Sequence, residues 1–159
     1  MAHEYSGHLD GSSLRVGVVV SQFNESITSR LLDGAREALR KHSVPEDSVT
    51  IVRVPGSLEL PFAAFKMACS GRWDTIVTLG CVIRGETSHF DLVAGESARG
   101  VREAARETGI PITFGVLTTE NVEQAIARAG GKLGNRGYDA TEAAIKMATL
   151  GPYLDSLSN

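Results

Sequence analysis

The sequence predicts an α/β fold, a three-layer α/β/α sandwich on a four-stranded parallel sheet, and three observations carry that prediction. Four short apolar runs rich in β-branched residues recur along the chain: Leu14 to Val20, Ser48 to Val54, Thr75 to Ile83 and Pro111 to Leu117. Each is followed by a stretch whose apolar residues return at helical spacing. The junctions from strand to helix are short and polar. Strand and helix alternating in this order place the strands in parallel, with helices on both faces and right-handed crossovers.

The first run, LRVGVVV, is almost continuously apolar, as expected of a strand buried on both faces. Ser26 to His42 then reads as a helix, because Ile27, Leu31, Leu32, Ala35, Ala38 and Leu39 share one face. The second strand ends at Pro55-Gly56. Ser57 is placed to cap a helix running to about Ser70, with Pro61 tolerated in its first turn. After the third strand and a polar loop, a long helix covers about Phe90 to Glu107. Gly109 ends it and Pro111 blocks continuation. After the fourth strand, Asn121 to Ala129 reads as a short helix. Gly130 to Gly137, with four glycines, reads as a loop. Tyr138 to Leu150 is the last helix, and a loose tail is expected after Gly151.

The chain has 159 residues, 42% of them hydrophobic, which suits a single domain over 14–159 preceded by an arm, 1–13. That arm lies outside the strand–helix pattern and is expected either to pair with a neighbouring subunit or to be disordered. A chain of this length buries enough surface to fold without disulfides or metal. The net charge of −3 and the lack of a basic block disfavour a nucleic-acid partner. No apolar run approaches the roughly 20 residues of a membrane span. Met1 to Ser13 has neither the basic nor the apolar region of a signal peptide. Cys69 and Cys81 share no metal-ligand spacing and read as small buried hydrophobes. A reduced, cytoplasmic setting is the expectation, with no metal and no cofactor.

Ligands of open α/β sheets bind beyond the carboxyl ends of the strands. That rule selects Ser21 to Asn24, Pro55 to Glu59, Arg84 to His89 and the stretch after Leu117. Phe23 is a large apolar side chain in a polar loop, either a plug over the sheet edge or a platform for a flat ring. Glu59, at a helix start, either complements the helix dipole or accepts hydrogen bonds from ligand hydroxyls. Arg84 to His89 combines a glycine, an acid, hydroxyls and a histidine before a helix, where free N–H groups attract anions. His89 there is either a surface histidine or a proton carrier near neutral pH. Arg128 either complements a helix C-terminus or binds a phosphate, and Lys132 is similar. Trp73 plugs core or an interface, and Arg99 to Arg106 form a solvated face. Gly131-Lys132-Leu133 is not a phosphate-binding P-loop, and no Gly-x-Gly-x-x-Gly follows the first strand.

Five segments carry a resemblance: GVVVSQFN, VPGSLELPFAA, TLGCVIRGETSHFD, PITFGVLTTENVEQAIARAG and GKLGNRG. In this order and spacing, from about Leu14 to Leu150, the chain resembles the lumazine synthases, and the resemblance implies a flavodoxin-like sandwich. It implies condensation of 5-amino-6-(D-ribitylamino)uracil with 3,4-dihydroxy-2-butanone 4-phosphate to 6,7-dimethyl-8-(D-ribityl)lumazine, in riboflavin biosynthesis. It further implies that Phe23 stacks on the pyrimidine and that Ser57, Leu58 and Glu59 hold the ribityl chain and ring. Cys81, Val82 and Ile83 then line the ring pocket, and Gly85, Glu86 and Thr87 meet the sugar phosphate. His89 shuttles protons, Phe114 contacts the ring, Arg128 pairs with the phosphate and Lys132 lies near the pyrimidine. Leu58, where the family often has an aromatic, and Cys81, at a variable small position, are mild departures.

The resemblance also implies a homo-oligomer, with Phe114 and Arg128 reaching the site from a neighbouring subunit of a pentamer. The uninterrupted loop Gly131 to Gly137 matches members that close twelve pentamers into an icosahedral shell, with riboflavin synthase as a possible cargo. Other readings compete. A flavodoxin-type electron carrier needs a hydroxyl-rich loop after the first strand, which SQFNES matches poorly. A receiver domain needs an aspartate at the end of the third strand, where Cys81-Val82-Ile83 stands. A catalytically silent shell protein or flavin-binding homologue is opposed by the presence of His89 and Arg128.

Overall fold

The computed structural model describes residues 1–158. Four strands, β1 (Val16–Ser21), β2 (Val49–Val54), β3 (Thr75–Ile83) and β4 (Ile112–Thr119), form one sheet in the order β2-β1-β3-β4. All three strand pairings are parallel. Every residue of β1 is buried, and β3 is buried except at Ile83. This is why their sequences are apolar without alternation.

Helices cover both faces. Helices α1 (Glu25–Lys41) and α5 (Arg136–Ser156), with α4 (Val122–Arg128), lie on one side; α2 (Leu60–Cys69) and α3 (His89–Thr108) lie on the other. The core divides accordingly. Val16, Val18, Val20, Val77 and Leu79 meet Leu31, Leu32 and Ile145 on the first face, while Val19 and Ile76 meet Leu60, Ala64 and Met67 on the second. Complete burial of each large aliphatic side chain contributes roughly 1.5–3 kcal/mol. The expected α/β/α sandwich is the one observed.

Strand order positions the site. The chain leaves β1 to form β2 on one side, then returns across β1 to form β3 on the other. The loops after β1 and β3 therefore diverge, and a crevice opens at the carboxyl edge between them.

The structure corrects several expectations. Gly130 to Gly137 is not a loop throughout: β5 (Ala129–Gly131) and β6 (Gly134–Asn135) form a small antiparallel hairpin. Gly130 and Gly134 make it possible, since both hold positive φ, 97° and 84°. Asn135 then caps α5, accepting from the N–H of Gly137 at 2.8 Å and of Tyr138 at 3.2 Å, while its Nδ2 donates to the Arg30 carbonyl of α1 at 2.9 Å. The last helix does not stop at Leu150 before a loose tail but runs through Gly151-Pro152 to Ser156. Its final turns hold Tyr153, whose ring packs against Tyr5 with centroids 6.0 Å apart.

The N-terminal arm lies along its own chain. The His8 N–H donates to Thr149 Oγ1 at 2.9 Å, that hydroxyl approaches the His8 carbonyl at 3.1 Å, and the Gly11 N–H donates to the His42 carbonyl at 2.7 Å. Ser57 makes no capping hydrogen bond. It opens a 3-10 turn, Ser57–Glu59, that leads into α2. Cys69 is exposed rather than buried, because it ends α2 on the solvent side.

Candidate active site

A cleft of about 370 Å³ opens at the carboxyl edge of β1, β2 and β3. It is lined by Phe23, Ser57, Leu58, Glu59, Cys81, Val82, Ile83, Gly85, Thr87 and His89, together with Gly56, Phe90 and Val93. Three loops distant in sequence meet there because their strands end side by side.

Phe23 does not plug the sheet. Its side chain is 68% exposed over the cleft, while its backbone is fixed. The Gln22 N–H donates to the Val54 carbonyl at 2.8 Å and the Phe23 N–H to the Pro55 carbonyl at 3.0 Å, extending the β1–β2 ladder past Ser21. A rigid backbone under an exposed ring makes a stacking surface. Glu59 folds back toward Gly56, where an added Cβ would lie 3.0 Å from its Oε2. The buried Ser57 backs onto β3, and Gly80 leaves room for it, since a Cβ there would stand 2.8 Å from Ser57 Oγ.

The far wall is the end of β3 and the start of α3. Ser88 is the N-cap but forms no side-chain cap, and the His89 N–H turns to Thr87 Oγ1 at 3.3 Å. First-turn amides without a side-chain cap form a place for an anion. Nothing stands near Gly85, so its backbone is approachable. Arg84 faces away from the cleft. It pairs with Asp91 at 3.3 Å and Glu120 at 2.9 Å, and its guanidinium lies 4.3 Å over the Phe90 ring. Its N–H donates to the Thr119 carbonyl at 2.9 Å, so one residue joins the ends of β3 and β4. Burial pushes the Cys81 thiol up to about 11, which leaves it a neutral wall and not a nucleophile.

Phe114 and Arg128 are not in this cleft. They line a second cavity of about 440 Å³ along β4, shared with Thr118, Thr119, Arg136 and Asp139. Arg128 donates through Nη1 to the Gln124 carbonyl at 3.0 Å, the local role expected of a cation near a helix C-terminus. Among the described residues no carboxylate pairs with it, whereas its neighbour Arg136 is paired with Asp139 at 3.2 Å. Lys132, in the hairpin turn, and Glu86, in the β3–α3 loop, are exposed and line neither cavity.

The sequence profile of the family described as 6,7-dimethyl-8-ribityllumazine synthase matches residues 13–151. The chain belongs to this family. Its activity is lumazine synthesis, a transferase reaction of riboflavin biosynthesis, and the family is oligomeric. No helix among the described residues is long and apolar enough to cross a membrane, and no cluster of three or more His, Cys, Asp or Glu is arranged for a metal ion. Two lining residues escaped the sequence: Phe90 and Val93 stand one turn apart at the start of α3, a spacing that signals a shared face. Gly56 lies inside the Pro55 to Glu59 segment that the strand-end rule selects.

Proposed function

We propose that the Phe23 cleft holds 5-amino-6-(D-ribitylamino)uracil and that the Arg128 cavity of a neighbouring subunit completes the site for 3,4-dihydroxy-2-butanone 4-phosphate. The observation that carries this reading is the division of the site residues: His89 and Phe23 line one cavity, Arg128 and Phe114 another, with no lining residue in common. A site split in this way is completed by a head-to-tail ring, in which the β4 side of one subunit meets the cleft of the next.

In the assembled site, Phe23 stacks on the pyrimidine. Ser57, Leu58 and Glu59 hold the ribityl chain, and Cys81, Val82 and Ile83 flank the ring. Gly85, Glu86 and Thr87, at the start of α3, receive the sugar phosphate together with Arg128. Phe114 closes over the ring, and Lys132 approaches the pyrimidine from the neighbour's hairpin. The substrate amine attacks the ketone and water leaves to give an imine. Inorganic phosphate is then eliminated, and a second condensation closes the ring with loss of another water. His89, at the lip of the cleft, carries protons between these steps. The reactants are an amine and a ketone, so orientation supplies much of the rate, up to about 7–11 kcal/mol of barrier. A histidine shuttle adds about 10²–10⁴-fold.

The assembly is a pentamer, and the short Gly131–Gly137 segment supports closure of twelve pentamers into an icosahedral shell able to enclose riboflavin synthase, in the cytoplasm. The test is to mix purified protein with both substrates and follow lumazine absorbance and fluorescence against a no-enzyme control, with sedimentation of the same sample. Product above background at the mass of a closed shell is expected. Active protein at the mass of five chains would remove the shell, and assembled protein with no product would remove the site.

A further inference from the structure

Asn24 departs from its local role. It stands at the N-cap of α1, where asparagine ordinarily adopts an extended backbone and accepts a hydrogen bond from the first turn. Here it is left-handed, with φ 59° and ψ 47°, and its side chain makes no cap. Among non-glycine residues asparagine tolerates this region best, yet the cap is forgone.

The side chain is used elsewhere. Asn24 Nδ2 donates to the Cys81 carbonyl at 2.9 Å, crossing from the end of β1 to β3. The β1–β3 ladder has stopped by then, its last pair being Val20 with Leu79. The amide thus bridges two strands where the backbone no longer does, and its acceptor lines the cleft. On the other side of Phe23, the Phe23 N–H is held by the Pro55 carbonyl of the β2 loop at 3.0 Å. Phe23 therefore sits between an anchor to β2 and an anchor to β3. Local rules broken in this manner concentrate at functional sites.

We infer that Asn24 is a positioning residue for the reaction: its left-handed backbone and its amide bond to Cys81 hold the Phe23 ring in register with the β3 wall of the cleft. The inference rests on the reading of Phe23 as the pyrimidine platform. The residue type follows from the task. Glycine would adopt the backbone but lacks the donor, aspartate would set an acceptor against a carbonyl, and alanine lacks the donor and resists the positive φ.

The experiment is steady-state kinetics of Asn24→Gly, Asn24→Asp and Phe23→Ala in the assembled protein, varying each substrate in turn. Asn24→Gly and Asn24→Asp are expected to raise KM for the ribitylamino-pyrimidine about tenfold, as Phe23→Ala does, while KM for the sugar phosphate moves less than about twofold. General loosening of the fold would instead degrade both KM values and kcat together, and that outcome overturns the inference. If Phe23→Ala raises the pyrimidine KM and Asn24→Gly does not, the positioning role falls and the platform stands. If Phe23→Ala changes nothing, both readings fall. Should the glycine variant not assemble, the isosteric aspartate variant carries the same comparison.

Discussion

His89 and Arg128 open onto different cavities of the same chain, His89 onto the cleft at the start of α3 and Arg128 onto the outer side of β4. On the proposed reading, the two residues meet across a subunit boundary. Subunits carrying His89→Ala and subunits carrying Arg128→Ala should each be poorly active alone. Dissociated and reassembled together in equal amounts, they should recover activity, because roughly a quarter of the interfaces in a randomly mixed ring join two intact halves. Recovery no greater than the mean of the two single variants would place both residues in one subunit's site.

The two residues should also differ in kinetic signature. Among the described residues no carboxylate pairs with Arg128, and a charge-assisted hydrogen bond to phosphate is worth roughly 1.5–3 kcal/mol. Arg128→Ala should therefore raise KM for the sugar phosphate by about ten- to a hundredfold. His89→Ala should lower kcat by about 10²-fold or more and leave measurable turnover, since proximity persists. An unchanged KM in the first variant removes the phosphate role, and an unchanged kcat in the second removes the proton shuttle.

Cys81 makes the fold sensitive to alkali. An ordinary thiol ionises near 9.0, whereas burial holds this one up to about 11. Between those values the unfolded chain has released a proton that the folded chain keeps. The stabilisation is complete below the lower value and is lost as pH rises through the higher one. Urea midpoints between about pH 8 and about pH 11 should fall more steeply for wild type than for Cys81→Ala. Parallel profiles would assign the alkaline loss to other groups. Activity near neutral pH should survive Cys81→Ala, because the thiol is neutral there and its carbonyl is the group that bonds.

Gly137 is required by the approach of α5 to α1. A Cβ at this position would collide with the Leu31 carbonyl, and one at Gly34 would collide with the Asn135 side chain. Gly137→Ala should destabilise the protein by roughly 1–3 kcal/mol, with the α1–α5 seam forced apart. Chemical denaturation measures it, and a change below about 0.5 kcal/mol would show that the seam yields freely.

Much of the architecture was legible because it depends on neighbours in sequence. β3 runs from Thr75 to Ile83 as its apolar run does, Gly109 closes α3 at φ 71°, and α4, Val122–Arg128, falls within the short helix expected over Asn121 to Ala129. The misreadings share a cause. The glycines of 130–137 signalled irregular backbone, but Gly130 and Gly134 use positive φ to build a hairpin, not to avoid one. Gly151-Pro152 signalled a helix end, but α5 continues through it. Cys69 was apolar enough for a core position and is exposed, because the last residue of α2 falls on the solvent side.

The sequence by itself determined the strand–helix alternation, the burial of β1, the buried face of α1 and the loops able to carry chemistry, because periodicity and turn chemistry act over a few residues. Only the tertiary structure decided which of those loops meet. The chain doubles back from β2 across β1 to β3, which brings Phe23, Ser57, Ile83 and His89 around one cleft and leaves Phe114 and Arg128 on the outer side of β4. Asn24 belongs to this second class: its bond to Cys81 spans 57 positions in sequence, and strand order alone makes them neighbours.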